Sequence, residues 1–480
     1  MSKGSQRVAF FNRVRELMAR QLEPALFALY MAILVWAPLP FASNRIWGGA
    51  LLAVLVGLVF CCWVVLYLRG KVRIDAQTWR YAKVPLGLLV LVQLWVLLQL
   101  LPLPRGLVAV LSPKAFDWHI REGWLSLSLD PAATRYYLLL GCTYTLGFVL
   151  TLALVNTHDR VKVLLQVLVF SGTFQAVYGA FMVLSGLEIG FFVEKYAGKG
   201  VATGTFVNRN HLAGYLVMCL AAGIGLLLSQ LATHHPRDWR ERLRGWLRLL
   251  LSPKIRLRIY LAIMVVALVL TRARMGNIAF FAGLGLAGGV AIYAGQRFSR
   301  RVVVFLSSLF VVDMLILGRW FGLDQLVQRL EQTNPASESR VWSNAYTFDY
   351  IREFPLTGSG GGSFYGIFPN FQAPNLEGFH VHAHNDYLEF AAELGVPAAL
   401  VLACFVLLAL HSAYRVQRER HTPLYRGAAF AVTMTICWAA IHSLTDFNLH
   451  IPANVLTFLS LLGLAYCSRG LPRPGVQGGS

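Results

Sequence analysis

Residues 46–68 read IWGGALLAVLVGLVFCCWVVLYL, a run without one charged side chain. A hydrocarbon core about 30 Å thick takes about 20 apolar residues as a helix, and in lipid only a helix or a closed barrel satisfies its own backbone polar groups. This run is therefore a transmembrane helix, and it is not alone. Further apolar stretches fall at 24–42, 84–103, 135–156, 161–186, 211–231, 258–271, 276–294, 302–318, 396–414, 425–446 and 451–467. The expected fold is an all-α polytopic membrane protein with about 12 transmembrane helices. The composition agrees: 56% of the 480 residues are hydrophobic, only 14% are charged, and mean hydropathy is +0.56.

The chain carries 43 Lys and Arg against 23 Asp and Glu, a net charge of +20. With the N-terminal tail in the cytoplasm, the inner connections hold 29 of these basic residues. That asymmetry follows the positive-inside rule and speaks for contact with anionic membrane lipids, not with nucleic acid. Both termini then lie in the cytoplasm. Trp239, Leu243, Trp246, Leu247 and Leu250 recur at helical spacing among arginines in one inner connection, which reads as a helix lying in the headgroup plane. The seven cysteines all fall within apolar segments, which argues against disulfides and thiolate metal sites. The first apolar run has no small-residue cleavage site after it and reads as a retained helix.

Three regions result: residues 1–318 with the first nine spans, a long outer loop at 319–395, and 396–480 with the last three spans and a cytoplasmic tail. A loop of such length is usually functional. Within it, Ser337 or Ser339 can cap a helix carrying Arg340 and ending before Pro355. A glycine-rich run follows at 358–363, then His380, His382 and His384 in alternation, and a short helix from Tyr387 to Leu394 that the Asn385-Asp386 pair can cap.

Several side chains here suit chemistry. Arg272 and Arg274 form a turn between two spans, and Arg340 lies on the loop helix. A guanidinium's fixed fork of donors suits phosphate oxygens, although snorkelling or pairing with a carboxylate accounts for any one of them. On an extended strand His380, His382 and His384 project from one face; the favoured reading is a general base, beside a metal site or a purely structural cluster. The glycine run, with Gly358 and Gly360, lacks the ending of a nucleotide loop but can offer successive backbone N–H groups to an anion. Asn208, Arg209 and His211 stand at the membrane boundary, as substrate contacts or as caps of the sixth span. His442, Asp446, Asn448 and His450 surround the last outer turn, where Asp446 can pair with an arginine. No outer Asp-x-Asp pair suggests a metal-held nucleotide sugar.

The combination resembles the O-antigen ligase and O-antigen polymerase superfamily of bacterial envelope glycan assembly. The matching pieces are Asn208-Arg209-Asn210-His211, Thr271 to Gly276, Arg340-Val341-Trp342, Pro355 to Gly360, and His382-Ala383-His384-Asn385-Asp386-Tyr387-Leu388-Glu389. Two more, Ala37 to Arg45 and His442 to Asn448, look similar to members associated with exopolysaccharide assembly, which tilts the reading toward a polymerase. The resemblance implies an inverting, metal-independent and cofactor-free glycosyltransferase of the bacterial inner membrane. Its donor would be a glycan on undecaprenyl diphosphate, and its acceptor a sugar hydroxyl of a carrier-linked repeat or of lipid A core, met on the periplasmic side. Carried over, Arg274 (or Arg272) and Arg340 would grip the diphosphate and His384 would be the base. His211, His382, Asn208, Arg209, Asn385, Gly358 and Gly360 would contact substrate. The competing class is a flippase for lipid-linked glycans, which needs charges lining a cavity within the spans; Asp313 is the clear internal acid.

Overall fold

The computed structural model describes residues 22–119, 123–190, 192–195, 198–230, 253–296, 307–308, 339–374, 376 and 378–473. In chain order the helices are α1 (Leu22–Trp36), α2 (Ile46–Leu68), α3 (Ala76–Leu100), α4 (Arg105–Leu111), α5 (Pro113–Trp118), α6 (Pro131–Leu154) and α7 (His158–Leu184). There follow a two-residue hairpin pairing Ile189–Gly190 with Val193–Glu194, then α8 (Arg209–Gln230), α9 (Pro253–Leu270), α10 (Arg274–Tyr293) and α11 (Ser339–Glu353). The remaining helices are α12 (Phe364–Ile367), α13 (Asp386–Leu394), α14 (Val396–Glu419), α15 (Pro423–His442) and α16 (Pro452–Gly470).

Eight of these helices, α2, α3, α6, α7, α8, α10, α14 and α15, are long and apolar enough to cross a membrane. The chain is an all-α membrane protein. The expected twelve spans are not reproduced as a count. The first shrinks to Leu22–Trp36 because Pro38 and Pro40 stop helix propagation. The stretch at 258–271 becomes α9, which starts earlier and takes in Lys254, Arg256 and Arg258, while α16 carries Asn454, Thr457, Ser460 and Arg469 among its apolar residues. Of the span expected at 302–318 only residues 307–308 are described, and Asp313 and the amphipathic helix expected at 239–250 lie outside the described residues.

Helices α8 and α16 are buried along nearly their whole length, and α15 along most of it. The α8–α15 crossing is set by two glycines: a Cβ on Gly225 would fall 2.3 Å from the Gly427 carbonyl oxygen, and one on Gly427 would fall 2.1 Å from that of Gly225. Small residues let backbones approach closely where the hydrophobic effect between helices is absent. Polar ties serve the same interior. The Tyr30 hydroxyl donates to the Gly147 carbonyl at 2.8 Å and also meets Thr151 and Ser460, joining α1, α6 and α16. By contrast α2, α3 and α14 expose Leu58, Leu94, Leu400 and Leu407 on their outer faces.

Because α15 runs antiparallel to α8 and α10, its C-terminus meets the N-termini of both. The segment before α8 is pinned there: Thr205 hydrogen-bonds Gln175 of α7 and the Pro38 carbonyl, and the Ala202 N–H donates to Leu270. Helix α11 ends before Pro355, as expected, and its Tyr350 and Phe354 pack with Trp118, Phe364, Phe368 and Phe371 in a second, smaller core.

Candidate functional site

The N-terminal ends of α8 and α10 and the C-terminal end of α15 meet the 379–385 segment and the 443–451 turn around one ring. Phe447 touches three imidazoles: His382 stacks on it at 3.9 Å between centroids, and His211 and His384 meet it edge-on at 4.6 and 5.0 Å. His380, His382 and His384 do not form the expected strand. The segment is irregular, and His384 takes a left-handed backbone conformation (φ 54°), which costs a non-glycine residue about 1–2 kcal/mol. The turn breaks the alternation, so that His380 lies against Phe368 and the other two point to opposite clusters.

The first cluster holds His384, His211, His442, Asp446 and Arg340. Asp446 is buried; among the described residues it does not pair with an arginine, as the sequence suggested, but accepts from Asn210 Nδ2 and the Phe447 N–H and lies 3.5 Å from His211 Nε2. Burial alone would raise its carboxyl, but His211, His442 and the backbone donor outweigh burial and hold it well below the usual range. Burial drives His384 down to about 4; Asp446 opposes this, and the Arg340 charge and His382 add to it. Its imidazole is therefore neutral at neutral pH. Among the described residues its Nδ1 is buried without a hydrogen-bond partner, as is His442 Nε2. Arg340, half-buried at the start of α11, also acts electrostatically on His442.

Arg274 is the first residue of α10 and is exposed; Arg272, also exposed, sits in the turn with φ 52°. Gly276, in the first turn of α10, permits this approach: a Cβ there would fall 2.9 Å from that of Ala213 and 3.8 Å from His442 Nε2. Arg209 is exposed at the start of α8, and Asn208 accepts from the Asn210 N–H at 2.8 Å. The structure thus gathers His384, His211 and Arg340 at one place and sets the α10 turn beside His442.

The second cluster, on the other side of Phe447, is built on α13, which the sequence located but whose buried carboxylates it did not reveal. Asp386, Glu389 and Glu393 lie one and two turns apart, so all face inward. Asp386 accepts from Ser443 Oγ at 2.7 Å and His450 Nδ1 at 2.8 Å. Glu389 meets His382 Nδ1 at 2.6 Å and the Ala383 N–H at 2.9 Å, and Glu393 takes the N–H groups of Gly362 and Phe364. Burial would lower His450, but Glu389 and Asp386 outweigh it and raise the ring to about 9, so it is the cation among these acids. Burial and the neighbouring Glu389 lift Glu393 to about 7. A cavity of about 320 Å³ adjoins this cluster, walled by apolar side chains such as Leu89, Leu140, Phe405 and Phe458 and ending on His382, Glu389 and Glu393.

Two expected substrate contacts have other partners here. Neutral oxygens take most of the N–H groups of the glycine run, and the Glu393 carboxylate takes that of Gly362. Ser359 N–H donates to Ala392, Gly360 N–H to the Glu393 carbonyl, and Gly361 N–H to Gln99. A Cβ on Gly358 would fall 2.1 Å from the Glu393 carbonyl oxygen and one on Gly360 2.4 Å from Ser128 Oγ, so these glycines serve close packing of the loop on α13 and on the segment that leads into α6. Asn385 caps α13, accepting from the N–H groups of Tyr387 and Leu388 and donating to the Leu444 carbonyl. The sequence signal for the second cluster was present in the Asp-x-x-Glu-x-x-x-Glu spacing of 386–393, but on a short helix it is indistinguishable from a solvated face.

Converging helix ends that hold incompletely bonded imidazoles beside arginine define a helical membrane protein with a polar site at the ends of its spans. Residues 259–403 match the family described as O-antigen ligase, and this match supports the O-antigen ligase/polymerase superfamily as the chain's family. It runs from α9 into α14 and includes Arg274, Arg340 and His384. No curated protein matches the chain.

Proposed function

We propose that the chain is a bacterial inner-membrane glycosyltransferase that moves a glycan from undecaprenyl diphosphate to a sugar hydroxyl on an acceptor glycan at the periplasmic face, with both of its own termini cytoplasmic. The observation that carries this reading is a neutral, half-buried His384 within the field of Arg340, at the helix ends where the Arg274 turn also lies. In the reaction the anomeric carbon's bond to the diphosphate oxygen breaks, and its electron pair leaves with undecaprenyl diphosphate. A bond to the acceptor oxygen forms, and the hydroxyl proton passes to His384. Arg340 and Arg274 offset the charge that builds on the departing oxygens. The donor carries its own activation, so neither ATP nor a resident metal is required. The carrier-linked repeat of a polymerase is the preferred acceptor, because the 37–45 and 442–448 pieces look similar to exopolysaccharide members.

The test is reconstitution of the full chain in liposomes with purified donor and acceptor in the presence of a chelator. A new glycosidic bond is expected, and His384→Ala or Arg274→Ala should abolish it while insertion is unchanged. Movement of glycan across the bilayer without bond formation would assign the chain to the flippases.

A further inference from the structure

Asn448, Asn454 and His442 form a chain of hydrogen bonds whose polarity can be read from one end. Asn454 Nδ2 donates to the backbone carbonyl of His211 at 3.1 Å and to Asn448 Oδ1 at 2.8 Å. A backbone carbonyl only accepts, so the Asn454 amide is oriented, and Asn448 must present its oxygen to it. Asn448 Nδ2 is then left facing His442 Nδ1 at 2.9 Å. Being a donor, it requires a bare Nδ1, and a neutral imidazole bare at Nδ1 carries its hydrogen on Nε2. Gly214 leaves room for this arrangement, since a Cβ there would fall 2.3 Å from Asn448 Oδ1.

The fixed hydrogen has no acceptor among the described residues. His442 is 1% exposed, and its Nε2 is buried without a partner among the described residues. It faces the first turn of α10, 3.8 Å from the Cβ position of Gly276. The N–H groups of that turn lack acceptors within their own helix, and the start of a twenty-residue helix favours an anion.

We propose that His442 is a neutral hydrogen-bond donor to a diphosphate oxygen of the lipid-linked substrate, acting with the first turn of α10. This rests on the transfer reaction proposed above and adds a binding residue to it. As the bond to the anomeric carbon breaks, the electron pair goes to the diphosphate oxygen and His442 Nε2–H hydrogen-bonds the diphosphate. No proton leaves His442; the acceptor's proton goes to His384. The Asn448 donor disfavours a second proton on Nδ1, so His442 does not compete for it. Nε2 is covered in the absence of substrate, and the diphosphate reaches it by entering between the α10 turn and α15.

The test compares His442→Gln, His442→Phe and Asn448→Asp in the reconstituted full chain. It reads glycan transfer, binding of undecaprenyl diphosphate, and ¹⁵N spectra of labelled histidine. Wild-type His442 should show hydrogen on Nε2 and a bare Nδ1. The Phe variant should lose about a hundredfold in transfer, as for removal of one donor from an oxyanion site, and about tenfold or more in binding. Gln, which keeps an N–H near the same point, should stay within about tenfold of wild type in transfer. The Asp variant accepts from Nδ1, should move the hydrogen off Nε2 and slow transfer near neutral pH, and should recover as acid protonates the ring at both nitrogens. A Phe variant that binds and transfers like wild type, or a wild-type spectrum with hydrogen on Nδ1, overturns the proposal. If the wild type transfers no glycan, the reaction reading fails, while the spectra and the undecaprenyl diphosphate binding still decide the role of His442.

Discussion

The clusters on the two sides of Phe447 are made of the same residue types and are bonded in opposite ways. Around α13 each carboxylate meets two or more donors, and a charged His450 sits among three buried acids. Around α8, α10 and α15, Nδ1 of His384 and Nε2 of His442 are buried with no hydrogen-bond partner among the described residues, whereas His450 Nε2 on the α13 side, also without a hydrogen bond, lies 3.5 Å from the Glu389 carboxylate. A buried polar group without a partner costs about 1–3 kcal/mol, so the arrangement around His384 and His442 gains nothing for the fold and is intelligible if a substrate completes it. The α13 cluster is framework: it holds the 379–385 segment, and with it His384, against the 443–451 turn through the Asp386 N–H to Ser443 and the Asn385 side chain to Leu444.

Substitutions on the two sides should separate accordingly. His450→Ala leaves Asp386 and Glu389 buried without their shared cation, and removing one partner of a buried pair typically costs about 3–5 kcal/mol. Thermal unfolding of the detergent-solubilised protein should fall steeply. His384→Ala removes a side chain with an unsatisfied nitrogen, so the same melt should hardly move while transfer drops by about a thousandfold. A His384 variant that melts as early as His450→Ala would erase the distinction between the clusters.

Acid and base should also act on the two sides separately. His384 lies at about 4 against an ordinary 6.5, so it stays neutral and able to accept a proton down to that point. The transfer rate should be level from neutrality to about pH 5 and fall as pH drops through about 4; an acid limb near 6.5 would show that His384 is less buried in the working enzyme. His450 has the opposite sign. Its folded value of about 9 lies above the ordinary 6.5, so the stability it contributes is full below 6.5 and is lost as pH rises through about 9. Melting temperature measured from pH 6 to 10 should decline over that interval, and the decline should vanish in His450→Gln.

What the sequence disclosed divides along physical lines. Eight expected spans coincide with apolar helices because hydropathy over about 20 residues is a local property. The end of α11 and the cap of α13 lay close to expectation, because Pro355 and Asn385 act within one turn of themselves, while the expected Ser337 cap of α11 lies outside the described residues. The glycine run and the histidine alternation misled. Whether an N–H faces an anion or Glu393, and whether alternating histidines share a face, depends on long-range packing: Glu393 sits 33 residues beyond Gly360, and the turn at His384 is imposed by its neighbours. The three acids of α13 were visible, but not their burial, since each partner comes from another segment: His450 and Ser443 for Asp386, and the backbone at 362 and 364 for Glu393.

The smallest expected effect falls on Asn385, which adjoins the proposed base His384 yet belongs to the framework. Its Oδ1 receives the N–H groups of Tyr387 and Leu388 at 3.1 and 3.2 Å, and its Nδ2 reaches the Leu444 carbonyl at 3.3 Å. Replacing such a cap by alanine typically costs about 1 kcal/mol, and serine should restore most of that because its hydroxyl can accept from the same N–H groups. The KM for the glycan donor should not change in Asn385→Ser, whose cap is kept. A rise in KM there with an unchanged melt would move Asn385 across the divide, from the side of the molecule that holds the base in place to the side that holds the substrate.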